Sequence, residues 1–155
     1  MIQQTLRFIS SIVVFSLISM VSYGYELTVN YENESHVLSQ AQLKDLTHDT
    51  LTTITPWTDK PQVFSGISIA SLMKHFDIHA TKAYAKALND YEVEINLNQA
   101  LAAGAFIVSH VNGEPMKVRN KGPFWIIFPW SDHPHLIERK YQDWSIWQLT
   151  ELSFH

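Results

Sequence analysis

Apolar and polar residues recur with short periods along most of the chain, and the periods predict many strands and a few short helices. Leu27 to Tyr31 alternates, a strand signal. Ser39-Gln-Ala-Gln42 is a capping box opening a helix with Ala41, Leu43 and Leu46 on its apolar face. Leu51 to Ile54 is β-branched and predicts a strand broken by Pro56, and Val63 to Gly66 a strand end. Ser68 caps a helix whose apolar positions Ile69, Leu72, Met73 and Phe76 fall at i, i+3, i+4 and i+7. Thr81 to Leu88 and Tyr91 to Ile95 predict two strands meeting at the turn Asn89-Asp90, and Asn98 is read as the cap of a helix ending at Gly104. Ala105 to His110 predicts a strand leading into a hairpin at Asn112-Gly113, where both residues need positive φ. Phe124 to Phe128 and Ser145 to Leu152 complete the strands. There is no βαβ rhythm, so the class is α+β, mostly β with short helices.

The first 24 residues stand apart. One positive charge in Met1 to Arg7 precedes an apolar run, Phe8 to Val21, and then the small-residue site Ser22-Tyr23-Gly24. This is the pattern of a secretory signal peptide cleaved after Gly24. The apolar run is too short to cross a bilayer comfortably. Residues 25–155 then form a single domain in an exported, periplasmic setting, without direct membrane attachment. Losing Arg7 takes the net charge from −4 to −5, which argues against a nucleic-acid or anionic-membrane partner. There is no cysteine, so an exported domain must be stable on packing alone. Five tryptophans, six tyrosines and eight phenylalanines supply the area for that.

Chemistry concentrates between Met116 and Trp130. A basic turn with Arg119 and Lys121 feeds an apolar strand carrying Trp125, with Trp130 just beyond Pro129. Rings beside charged donors suit a flat, polar heterocycle. The histidines give no organised zinc spacing: His133 and His135 form the one close pair, and the others are scattered. No nucleophile-elbow or phosphate-loop pattern is present.

The order of several short motifs carries a resemblance. Phe64-Ser-Gly-Ile67 is followed by Asn89-Asp-Tyr91 and Glu94-Ile-Asn-Leu97, then by Asn112-Gly-Glu-Pro-Met116 and Lys121-Gly-Pro123, and last by Ile127-Phe-Pro129 and Trp147-Gln-Leu149. From Leu51 to Leu152 the chain resembles the molybdopterin-binding domain of the sulfite oxidase superfamily, in its small stand-alone exported form. Enzymes of that group ligate molybdenum through a cysteine on the loop that here reads Thr55-Pro-Trp57-Thr58-Asp59, and neither Thr nor Trp replaces a thiolate. At Trp125 they tend to carry a basic residue. The resemblance therefore implies a sulfite-oxidase-like fold that binds a pterin without molybdenum and without catalysis. Its role would be to report occupancy to the periplasmic domain of a membrane receptor controlling cyclic-di-GMP and biofilm formation. A molybdopterin-dependent oxidoreductase and a structural subunit of an envelope complex are the alternatives.

A pterin has an amino group and a ring N–H side by side, which one carboxylate accepts together. Asp90, flanked by Asn89 and Tyr91, is the candidate for that role, against an ordinary Asx-turn. Trp57, Trp125 and Trp130 are candidate stacking rings, while Trp144 and Trp147 read as core. Arg119 and Lys121 are placed to meet a ring carbonyl, a hydroxyl or a phosphate. Pro129 to Leu136 is the candidate surface for the receptor. Stacking gives about 1–3 kcal/mol per ring and a charged hydrogen bond about 1.5–3 kcal/mol. Net of binding costs, two rings and a carboxylate reach roughly micromolar affinity.

Overall fold

A computed structural model describes residues 24–155, so the signal-peptide expectation falls outside the described residues apart from Gly24. Ten strands form one curled sheet: β1 (Glu26–Tyr31), β2 (Glu34–Ser39), β3 (Asp49–Thr53), β4 (Gln62–Ser68), β5 (Lys82–Ala87), β6 (Glu92–Asn96), β7 (Phe106–Val111), β8 (Glu114–Pro115), β9 (Phe124–Ile127) and β10 (Trp147–Phe154). Among the described residues four short helices sit around it: α1 (Gln40–Asp45), α2 (Ile69–His75), α3 (Leu97–Ala102) and α4 (Arg139–Trp144). Among the described residues no helix is long and apolar enough to cross a membrane.

The main path runs β2-β1-β10-β9-β7-β4-β3, and β5 with β6 branches from β10. Strand β10 is the hub. Its Leu149 pairs with Ala87 on one edge and Phe124 on the other, and further along Leu152 pairs with Ala85 and Val29. One edge thus takes β5 throughout, while the other takes β9 first and then β1. The β1–β10 pairing is parallel, joining the two ends of the domain.

The main core lies under β1, β5, β9 and β10, with Leu27, Ile67, Leu72, Phe124, Ile126, Phe128 and Leu152 each buried. A second cluster on the other face of β9 holds Phe64, Phe106, Val108, Met116, Trp125 and Ile127. Strand β9 is therefore covered on both sides, which explains its unbroken apolar run.

Several local readings carry over. Ser39 and Gln42 form the capping box, Ser68 caps α2 by accepting from Ser71 N, and Asn112 and Gly113 both take positive φ. Others are corrected. Asn96, not Asn98, caps α3, accepting from Gln99 N at 3.1 Å; Leu97 is buried as the first helical residue, which sets the start two positions earlier. In α1 Leu43 is buried but Ala41 is exposed, because six residues present only one side chain squarely to the core. Strand β2 and helix α4 were not anticipated. The first has an exposed Val37 that blurs its alternation, and the second buries only Tyr141 and Trp144.

His110 sits in β7, 7% exposed, with Nδ1 2.9 Å from Ser109 Oγ. Burial holds its pKa below the usual 6.5. A group whose native pKa is depressed in this direction stabilises the fold when neutral, so its contribution is intact above pH 6.5. It declines as the pH falls from there to the lowered native value, because the unfolded chain takes up the proton first. Urea titrations across this window should show the decline in the wild type and a smaller one in His110→Gln.

Candidate functional site

The loop after β3 closes on itself and presents one side chain. Thr58 Oγ1 accepts from Thr55 N at 2.8 Å, Thr55 Oγ1 accepts from Trp57 N at 3.2 Å, and Thr58 N donates to Thr55 O at 3.1 Å. Trp57, so held, meets three other indoles edge to face: Trp125 at 5.7 Å, Trp147 at 5.8 Å and Trp130 at 6.2 Å between centroids. Trp125 is 2% exposed and its Nε1 donates to Ser145 O at 3.1 Å, which locks the ring as a rear wall.

Trp147, read from the sequence as core, is 42% exposed. Alternation fails at a bulge: Trp147 pairs with Trp125 and Leu149 with Phe124, so β10 spends two residues where β9 spends one. Gln148 is the extra residue, at φ 54°. In regular alternation Trp147 and Leu149, two residues apart, would share a face; the bulge instead puts Leu149 in the core and Trp147 on the side of Trp125.

A cation completes the cluster. Lys121 Nζ lies 4.5 Å from the Trp147 ring centroid, 5.7 Å from that of Trp125 and 5.9 Å from that of Trp57. Its loop is fixed from several sides. Gln148 N donates to Lys121 O at 2.8 Å, and Gln148 Nε2 to Val118 O at 3.0 Å. Gln40 Nε2 reaches Met116 O at 2.9 Å and Pro123 O at 2.8 Å. Gly122 is required: a Cβ there would meet the Met116 backbone at 2.6 Å.

Two clefts flank this cluster. The first, of about 390 Å³, is walled by Trp57, Trp147 and Tyr91, with Asn89, Gln142 and Asp143 among its polar lining. The second, of about 580 Å³, is lined by Lys117, Arg119, Lys121 and Trp125 together with Glu114 and other polar residues. The candidate residues Trp57, Asn89 and Tyr91 thus meet in the first cleft, and Arg119, Lys121 and Trp125 in the second. Trp130 packs on the side of Trp57. Asp90 lines neither. Its side chain is 84% exposed and pairs with Lys86 Nζ at 3.0 Å, and it sits at φ 63° in the turn. The Asx-turn in this hairpin belongs to Asn89, whose Oδ1 accepts from Tyr91 N at 3.3 Å. The carboxylate in the cleft is Asp143, on the unanticipated helix α4. The proposed receptor loop is mixed: Leu136 is buried and Ser131 is tied to Thr53 and Ile54, while Asp132, His133 and His135 are exposed.

The donor set does not fit a thiolate-ligated metal. The chain has no cysteine, the Thr55 hydroxyl is turned into its own loop, and among the described residues no three metal-ligating side chains converge. What the arrangement offers is stacking faces, amides and a carboxylate around a small cavity.

No family model matches the chain, and no curated protein matches it. Among solved structures it is similar to the sulfane dehydrogenase SoxCD from Paracoccus pantotrophus, with 11% identity and a TM-score of 0.55. The likeness is one of fold. It covers 84% of this chain and 38% of that one, so this chain spans well under half of its neighbour. The fold it shares with that neighbour is mostly β with short helices and a curled sheet, the class that the sequence periods predict.

Replacing Lys121 by Met keeps the aliphatic stem and removes the ammonium. The loss should be about 0.5–2 kcal/mol, the range for a cation over aromatic faces, measured as a lower denaturant midpoint at an unchanged slope.

Proposed function

We propose that this is an exported pterin-binding protein, working without molybdenum and without catalysis. The observation that carries the reading is the first cleft, where two tryptophan rings from different parts of the chain wall a cavity with polar groups at its rim. Its volume of about 390 Å³ suits a bicyclic ring with a short substituent. The likeness of fold and the missing thiolate both support a site that keeps the ring-binding side of the superfamily and lacks its metal chemistry.

In this reading ligand occupancy is passed to the periplasmic domain of a membrane receptor acting on cyclic-di-GMP and biofilm formation. That step requires the partner to bind the occupied and empty forms with different affinity, since binding alone transmits nothing. The exposed part of the loop after β9 is the surface we assign to it.

Titrating the purified protein with pterins should quench tryptophan fluorescence saturably, with a dissociation constant in the roughly micromolar range. Trp147→Ala should weaken binding about tenfold or more, in line with the loss of one stacked ring. Absence of quenching by any pterin would remove the reading. Stoichiometric molybdenum in protein from a molybdenum-replete host would replace it with an oxidoreductase.

A further inference from the structure

We infer that Asp143 selects the ligand by its amino-substituted edge, so that the cleft takes a 2-amino-4-oxo pteridine over the 2,4-dioxo ring of the same shape. This rests on the pterin reading of the same cleft and assigns its chemical specificity.

Asp143 is the one carboxylate among the described residues that line this cleft. Other carboxylates nearby are occupied elsewhere: Asp90 with Lys86 at 3.0 Å, and Glu94 with Tyr84 at 2.6 Å and Lys82 at 3.0 Å. Asp143 has one partner, Arg139, whose Nε lies 3.6 Å from Oδ2. The Arg139 side chain is 92% exposed, so this pair is screened by water and leaves Oδ1 unclaimed. The backbone beneath Asp143 is held firmly. Trp144 is buried and its Nε1 donates to Glu94 O at 3.0 Å, and the Ser145 hydroxyl donates to Tyr141 O at 2.8 Å.

The remaining polar groups have a definite sense. Asn89 spends its Oδ1 on Tyr91 N, leaving its NH₂ to face a ligand. Gln142 gives one N–H to Ile137 O at 2.8 Å and keeps the other. The cleft therefore offers one charged double acceptor, Asp143, beside an amide donor on Asn89 and, on Gln142, a free N–H and the Oε1 acceptor. A 2-amino-4-oxo edge offers two adjacent donors, the amino group and the ring N–H, beside one carbonyl acceptor. The carboxylate takes both donors in a charge-assisted pair, and an amide meets the carbonyl. A 2,4-dione puts an oxygen where the amino group stood, facing the carboxylate with a second acceptor and leaving both unpaired.

The test compares pterin with lumazine, its 2,4-dioxo counterpart, on the wild type and on Asp143→Asn, by fluorescence quenching and by calorimetry. The substitution is isosteric and half exposed, and circular dichroism verifies the fold. The wild type should prefer pterin by tenfold or more. Asp143→Asn should weaken pterin by at least tenfold, leave lumazine within a few-fold, and erase the preference. Pterin binding that survives Asp143→Asn with its preference over lumazine intact would overturn the assignment to Asp143 and leave the pterin reading standing. Failure of both rings to bind the wild type would overturn the reading itself, and this inference with it.

Discussion

Gln148 is inserted between two β10 residues that pair with β9, and it takes a left-handed φ of 54°. A glycine would adopt that conformation at less cost, but it could not supply the side-chain amide that donates to Val118 O. Through that amide and its own N–H, Gln148 fastens the loop carrying Lys121 to the central strand. The same inserted residue turns Trp147 away from the core and sets it opposite Trp125. Lys121 then lies over both rings. The aromatic cluster and its cation are thus consequences of a single irregularity in the strand on which β1, β5 and β9 converge.

That cluster separates two cavities of different character. One is walled by indoles and carries amides and a lone carboxylate; the other collects Lys117, Arg119 and Lys121. In a chain of net negative charge, such a concentration of cations is local rather than general. Lys121 contributes to both sides, since it lines the second cleft and its ammonium covers the Trp147 ring that walls the first. Rings already packed against one another and against a cation lose little freedom when a ligand stacks on them, which lowers the entropic cost of binding.

The sequence disclosed the elements with strong local signals: the capping box at Ser39, the α2 periodicity, the Asn112-Gly113 hairpin and the apolar run of β9. The tryptophan-rich, basic segment stood out because its unusual residues are neighbours in the chain, and it lines the second cleft rather than the first. What the sequence hid depends on long-range geometry. The bulge at Gln148 has no local signature, since glutamine rarely takes positive φ, so Trp147 reads from the sequence as part of the core at the closing strand. Helix α4 is only six residues long and follows a 3₁₀ turn (Pro134–Ile137), so its pattern is too short to read, and Asp143 went unseen with it. Asp90 drew attention as a carboxylate at a strand junction, but the hairpin register gives it to Lys86.

The central claim is that a flat heterocycle lies in the cleft walled by Trp57, Tyr91 and Trp147. A crystal structure of the protein grown with a pterin tests it most directly. The account predicts the bicycle stacked on the Trp147 ring, on the side away from Lys121, with its amino edge toward Asp143. A pterin seated instead along Lys117 and Arg119, with the first cleft empty, would contradict it.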